Sequence, residues 1–192
     1  MGSATFTPEI SLRKPIIRAA IGTALILAIP LGMMQISSEW NWGVFDFVFM
    51  GALIFSAAMT YELVARHAMA KVGAGLAYRA ATAIAVFTSL ILIWVNAAVG
   101  IIGDGPHNML YGGVIAVGVI GAMLARLRPR GMANTLFAMA LTQMLVPVVV
   151  LLVWNPPFSP GVAPVFALNA VFAAAFVGAG VLFRRAKAPL PN

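Results

Sequence analysis

Residues 78–130 hold two long apolar runs joined by a short Gly-rich stretch and bounded by arginines. The first run follows Tyr78-Arg79 and ends at Trp94-Val95-Asn96. The second starts at Asn108 and stops at Arg126-Leu127-Arg128-Pro129-Arg130. Each matches the ~20 apolar residues that a helix needs to cross a hydrocarbon core. Lipid offers no partner to a backbone N–H or C=O, so such a run has to be helical. The pair reads as a transmembrane hairpin, with basic ends on one side and a small polar turn on the other.

The same reading extends along the chain. Six apolar runs qualify, over about residues 16–36, 44–65, 77–102, 108–127, 132–153 and 162–183. Arg13, Lys14 and Arg18 ahead of the first run resemble the n-region of a signal peptide. Residues 32–36 prolong that run, and no small-residue cleavage site precedes Trp40, so it reads as an uncleaved span. No segment between runs is large enough for a soluble domain. Residues 1–192 therefore read as one all-α membrane domain.

Charge supports the count. Only 9% of the residues are charged, against roughly a quarter in a soluble domain. With six spans, all 12 Lys and Arg residues fall on one side of the membrane. Glu39, Asp46 and Asp104 fall on the other. One span more or fewer breaks this partition. The positive-inside rule then makes both termini cytoplasmic. The net charge of +7 reflects short basic clusters at helix ends, suited to anionic lipid head groups rather than to nucleic acid. Trp40, Trp42 and Trp154 sit at outer helix ends, where an indole prefers the interface.

Helix contacts in lipid rely on small residues. Ala20 with Ala24, Gly118 with Ala122, Gly121 with Ala125, and Ala174 with Gly178 have the required spacing. Pro30 and Pro147 interrupt helical hydrogen bonding. Thr142 and Gln143, one turn before Pro147, are placed to satisfy the freed backbone groups. The two prolines do not occupy matching positions in the two halves, so an inverted repeat is not favoured.

Few residues carry chemistry. Thr82, Ala85, Ser89, Leu92 and Asn96 share one helix face, mostly small and polar, which should meet protein. Asp46, Asn96, Asn108 and Tyr111 all lie in the outer third of their helices. They form the candidate ligand-binding set, a polar pocket open to the periplasm with Asp46 as its charged member. The plainer reading of Asp46 is a helix cap. Glu62, Arg66 and Arg79 gather at the cytoplasmic end and read as an ion-pair network, or more sharply as a gate. His67 and His107 fall on opposite faces, so they cannot share a metal or a haem. His107 with Met109, Met33, Met34 and Met50 offers soft ligands for Cu(I), but Met is a common apolar filler. There is no cysteine, no phosphate loop, no close carboxylate pair and no Ser/His/Asp arrangement. No metal, cofactor or enzymatic activity is expected.

Several stretches resemble a group of small bacterial multi-pass membrane proteins. They are Trp42-Gly43-Val44-Phe45-Asp46-Phe47, Tyr78-Arg79-Ala80-Ala81 and the stretch from Trp94-Val95-Asn96 to Gly103. Asn108-Met109-Leu110-Tyr111 and the run from Ala125-Arg126 to Gly131-Met132-Ala133 continue the likeness over most of the chain. The resemblance implies a bacterial inner membrane and no particular activity. Two functional classes remain. One is a small carrier or binding protein with a periplasmic pocket. The other is an accessory subunit that packs against a larger membrane complex or a copy of itself. The first should turn Asp46 and Asn96 to a shared cavity. The second should expose a strip of small residues, such as Ala174 with Gly178.

Overall fold

A computed structural model describes residues 12–72, 75–103 and 105–186. Asp104, Lys187 and the side chain of Lys71, all part of the charge pattern, lie outside the described residues. The helices are α1 (Arg13–Ile36), α2 (Val44–Val72), α3 (Leu76–Ala98), α4 (Tyr111–Ala125), α5 (Pro129–Val153) and α6 (Val162–Arg185). A 3-10 turn, Pro106–Leu110, leads into α4. With that turn counted into α4, six helices among the described residues are long and apolar enough to cross a membrane. The chain is a multi-pass membrane protein.

Two helix ends differ from the hydropathy reading. α2 runs on through Arg66 and His67, because hydropathy marks the edge of the apolar zone and not the end of the helix. α3 stops at Ala98 although apolar residues continue to Ile102. There Gly100 (φ 69°) and Gly103 (φ 81°) take left-handed conformations, which glycine adopts without steric cost. Asn108 then binds the loop through its amide, as described below.

By internal contacts the chain divides into two compact units, residues 1–59 and 60–192. In the first, α1 lies beside the start of α2. A methyl added at Gly51 would sit 3.3 Å from Leu27 Cδ1. Ala20 and Ala24, expected at a helix contact, line a shallow 430 Å³ groove with Gly51, Ala52 and Phe55.

In the second unit α5 packs between α4 and α6, and α3 lies along α6. α5 buries Met132, Leu136, Met139, Gln143, Val146 and Val150. α6 buries Val165, Asn169, Phe172, Phe176, Ala179 and Phe183. Both stripes alternate steps of three and four, the pattern that keeps one seam facing a partner helix. Glycine sets the α4–α5 separation. A methyl at Gly121 would sit 2.5 Å from Thr135 Cγ2, and one at Gly118 would sit 2.8 Å from Met139 Sδ. The pairs Gly118/Ala122 and Gly121/Ala125 therefore mark a contact, as their spacing predicts. At Gly178 an added methyl meets nothing within 4 Å.

The basic end of this unit is pinned by Tyr78. Its side chain is wholly buried. Its hydroxyl donates to the Leu127 carbonyl at 2.9 Å, and its ring meets Phe183 edge-on at 4.8 Å. One residue thus joins the start of α3, the α4–α5 turn and the end of α6. That turn holds two consecutive left-handed residues, Arg126 (φ 48°) and Leu127 (φ 57°). Pro129 opens α5 immediately afterwards, where its missing N–H costs nothing.

Candidate functional site

The stripe read on α3 faces inwards. Thr82 and Leu92 are buried, and Ala85, Ser89 and Asn96 are half-buried. Thr82 spends its hydroxyl on the Tyr78 carbonyl one turn back, at 2.9 Å. Asn96 does likewise with one amide proton, donating to the Leu92 carbonyl at 2.8 Å. Its Oδ1 is buried and has no hydrogen-bond partner among the described residues.

Asn108 organises the α3–α4 loop. Its Oδ1 accepts from the N–H groups of Ile101 (2.9 Å) and Ile102 (3.0 Å). Its Nδ2 donates to the carbonyls of Gly103 and Gly105. A side-chain amide offers two donors and two acceptor sites. All four are used within the loop, so Asn108 contributes shape rather than a free polar group.

Tyr111 is 2% exposed and donates its hydroxyl to Asn169 Oδ1 at 2.9 Å. Gln143 Nε2 donates to the same oxygen at 2.9 Å. Asn169 Nδ2 donates to the Val165 carbonyl at 2.8 Å. The amide orientations follow from that last contact. The Val165 carbonyl can only accept, so Asn169 must present its NH₂ there and its oxygen to Tyr111 and Gln143. Gln143 must then present its own NH₂ to Asn169. Its Oε1 is left buried without a donor. The node ties α4, α5 and α6 together through neutral side chains.

Asn96, Asn108 and Tyr111 line one cleft between α3 and α4, with a volume of about 340 Å³. Leu92, Ile93, Met109 and Ile115 supply its apolar walls. Among the described residues, no charged side chain lines it. Asn96 lines it, and the unpartnered acceptor Asn96 Oδ1 is itself buried, so a small molecule that brings an N–H or O–H meets this acceptor once the Asn96 side chain turns into the cleft. Among the described residues, its one titratable group is the Tyr111 phenol, whose hydroxyl donates to Asn169.

Three of the four expected residues are thus brought together. The fourth, Asp46, belongs to the 1–59 unit and is described with its own helix. Its Oδ2 accepts from the Gly43 N–H at 2.8 Å. Asp46 is the third residue of α2, and this reach back to the residue before the helix is one half of a capping box. At the other end, Glu62 and Arg66 form the expected i,i+4 pair at 3.3 Å. Arg79 stands exposed in the first turn of α3.

A second cavity of about 590 Å³ lies between the α3–α4 loop and the α5–α6 connection. Gly100, Gly103, His107, Pro156 and Pro160 line it. His107 packs on Trp154 with ring centres 5.3 Å apart.

Asn169 escapes the sequence reading, and Gln143 is read with the wrong partner. Thr142 donates to Ala138 at 2.9 Å, and Gln143 turns to Asn169, so neither side chain follows the expected repair of the Pro147 gap. Asn169 carries a usable signal. It is a lone amide inside a long apolar run, where a polar side chain has to find a partner on another helix. No family model, curated protein or solved structure matches this chain.

Proposed function

We propose that this is a small carrier or binding protein of a bacterial cytoplasmic membrane, non-enzymatic, with the α3–α4 cleft as its site. The ligand class is a small neutral or cationic hydrogen-bond donor. The observation that carries the reading is the buried, unpartnered Asn96 Oδ1 beside a cleft that Asn108 and Tyr111 also line. A buried acceptor without a donor costs about 1–3 kcal/mol, and a ligand donor would recover that cost. The distribution of Lys and Arg supports both termini in the cytoplasm. The cleft, at the far ends of the helices from those clusters, then opens towards the periplasm.

The test is a thermal-shift screen of small polar molecules on the purified protein and on Asn96→Leu. A compound that stabilises the wild type and leaves Asn96→Leu unmoved is the expected result. If every stabilising compound acts equally on both, Asn96 binds nothing and the reading fails.

One observation favours a second reading, an accessory subunit. α6 exposes Ala167, Ala170, Ala174 and Gly178 along one face. Small residues in that pattern let a neighbouring helix approach closely. The partner would be another membrane protein or a second copy of this chain. Replacing Gly178 by Leu should then break an assembly seen on gentle extraction, while leaving the isolated chain as stable as before.

A further inference from the structure

The arginines of the 60–192 unit are not scattered. Tyr78 draws three chain segments to one end of the bundle, through its bond to Leu127 and its contact with Phe183. Each segment carries arginine directly beside the contact. Arg79 follows Tyr78, Arg126 and Arg128 flank Leu127, and Arg184 follows Phe183. All four are exposed. The Arg184 guanidinium lies over the Phe137 ring, 4.7 Å from its centre. Such stacking orders the group and leaves its in-plane N–H donors free. From Leu63 to Asn192 the sequence holds one acidic residue, Asp104, beyond the opposite end of α3. Glu62, the other acidic residue of this unit, pairs with Arg66 one turn away on α2, and the arginines outnumber it at this end.

We infer that this end of the unit is a specific site for the phosphate of an anionic phospholipid headgroup. Four points support a site over a diffuse attraction. The positions are held by a buried tyrosine rather than by flexible loops. The residues are all arginine, whose planar fork matches phosphate oxygens two at a time. The place is the polar end of a membrane bundle, at headgroup height. Basic pockets between transmembrane helices on the positive side are where anionic headgroups bind. The inference stands apart from the α3–α4 cleft, and either can fail alone.

Purified protein in detergent is titrated with phosphatidylglycerol or phosphatidylcholine, and bound lipid is counted by native mass spectrometry. The wild type should retain phosphatidylglycerol in preference to phosphatidylcholine. Arg126→Gln with Arg128→Gln should weaken phosphatidylglycerol roughly 25-fold, at about fivefold for each arginine. Arg13→Gln with Lys14→Gln removes the same charge from the 1–59 unit and should change it less than about twofold. Tyr78→Phe keeps every charge and should still loosen phosphatidylglycerol, because the segments lose their tie. Equal retention of both lipids overturns the inference. So does equal weakening by the two charge-removing variants, which would reduce the effect to net charge. Full displacement by millimolar inorganic phosphate would assign the site to free phosphate instead of lipid, and would also overturn it. The paired arginines are exposed, so their replacement leaves the fold in place to be tested.

Discussion

Replacing Asn169 by Leu should separate the roles within the buried node. Asn169 Oδ1 accepts from both Tyr111 and Gln143. Leu at this site strands two donors inside the bundle at once. Hydrogen bonds between membrane helices average about 0.6 kcal/mol, so two of them give a floor near 1 kcal/mol. A donor left unpaired in a dry interior costs about 1–3 kcal/mol, although unfolded chains in the membrane also find partners. The expected loss is about 1–3 kcal/mol. Gln143→Met has the opposite balance. It gives up one bond of about 0.6 kcal/mol, and it also removes Oε1, which is buried with no donor. Tyr111 still satisfies Asn169. Met matches Gln in length, so packing is kept. Gln143→Met should therefore be within about 0.5 kcal/mol of neutral, or stabilising. Reversible unfolding in mixed micelles measures both variants. Equal destabilisation by Gln143→Met and Asn169→Leu would refute the reasoning, since Oε1 would then have a partner worth keeping.

Three other outcomes follow from the fold. Gly121→Ala should cost about 1–3 kcal/mol through overpacking, because the new methyl meets the branch atoms of Thr135. Gly118→Ala should cost less, because the flexible end of Met139 can yield, and Gly178→Ala should be silent; unfolding midpoints rank the three. Asp46→Ala should lower stability by about 0.5–1 kcal/mol by removing the bond to the Gly43 N–H, and Asp46→Asn should recover most of it, whereas a binding defect without a stability defect would put Asp46 in a site. A reporter fused after Asn192 and one inserted between Gly103 and Gly105 should report opposite compartments, and the same compartment for both would end the six-span topology.

Much of the fold is legible in the sequence, because lipid turns hydropathy into a nearly direct statement of helices. Gly118 and Gly121 are readable as a contact for the same reason: small residues are the one device that brings membrane helices close. Where the reading misses, a local hydrogen bond overrides hydropathy. Residues 99–102 are apolar and still leave the helix, because Gly100 turns and Asn108 binds the N–H groups of Ile101 and Ile102. That amide sits six or seven residues further on in the chain, and hydropathy periodicity scores apolar faces without registering a side chain that caps backbone N–H groups. The site was half legible. Asn96 and Tyr111 declare themselves as polar groups within apolar runs. Asn169 sends the same signal from α6, but its meaning depends on which helices pack together, and one sequence does not fix that order. Asn108 reads as a ligand candidate and is instead consumed by its own loop.

Native mass spectrometry of untagged protein, released directly from its own membrane, tests the central claim most directly. The account predicts a small non-lipid molecule, one per chain, that disappears in Asn96→Leu. A protein partner at fixed stoichiometry, with the α3–α4 cleft empty in every charge state, would contradict it and favour the accessory subunit.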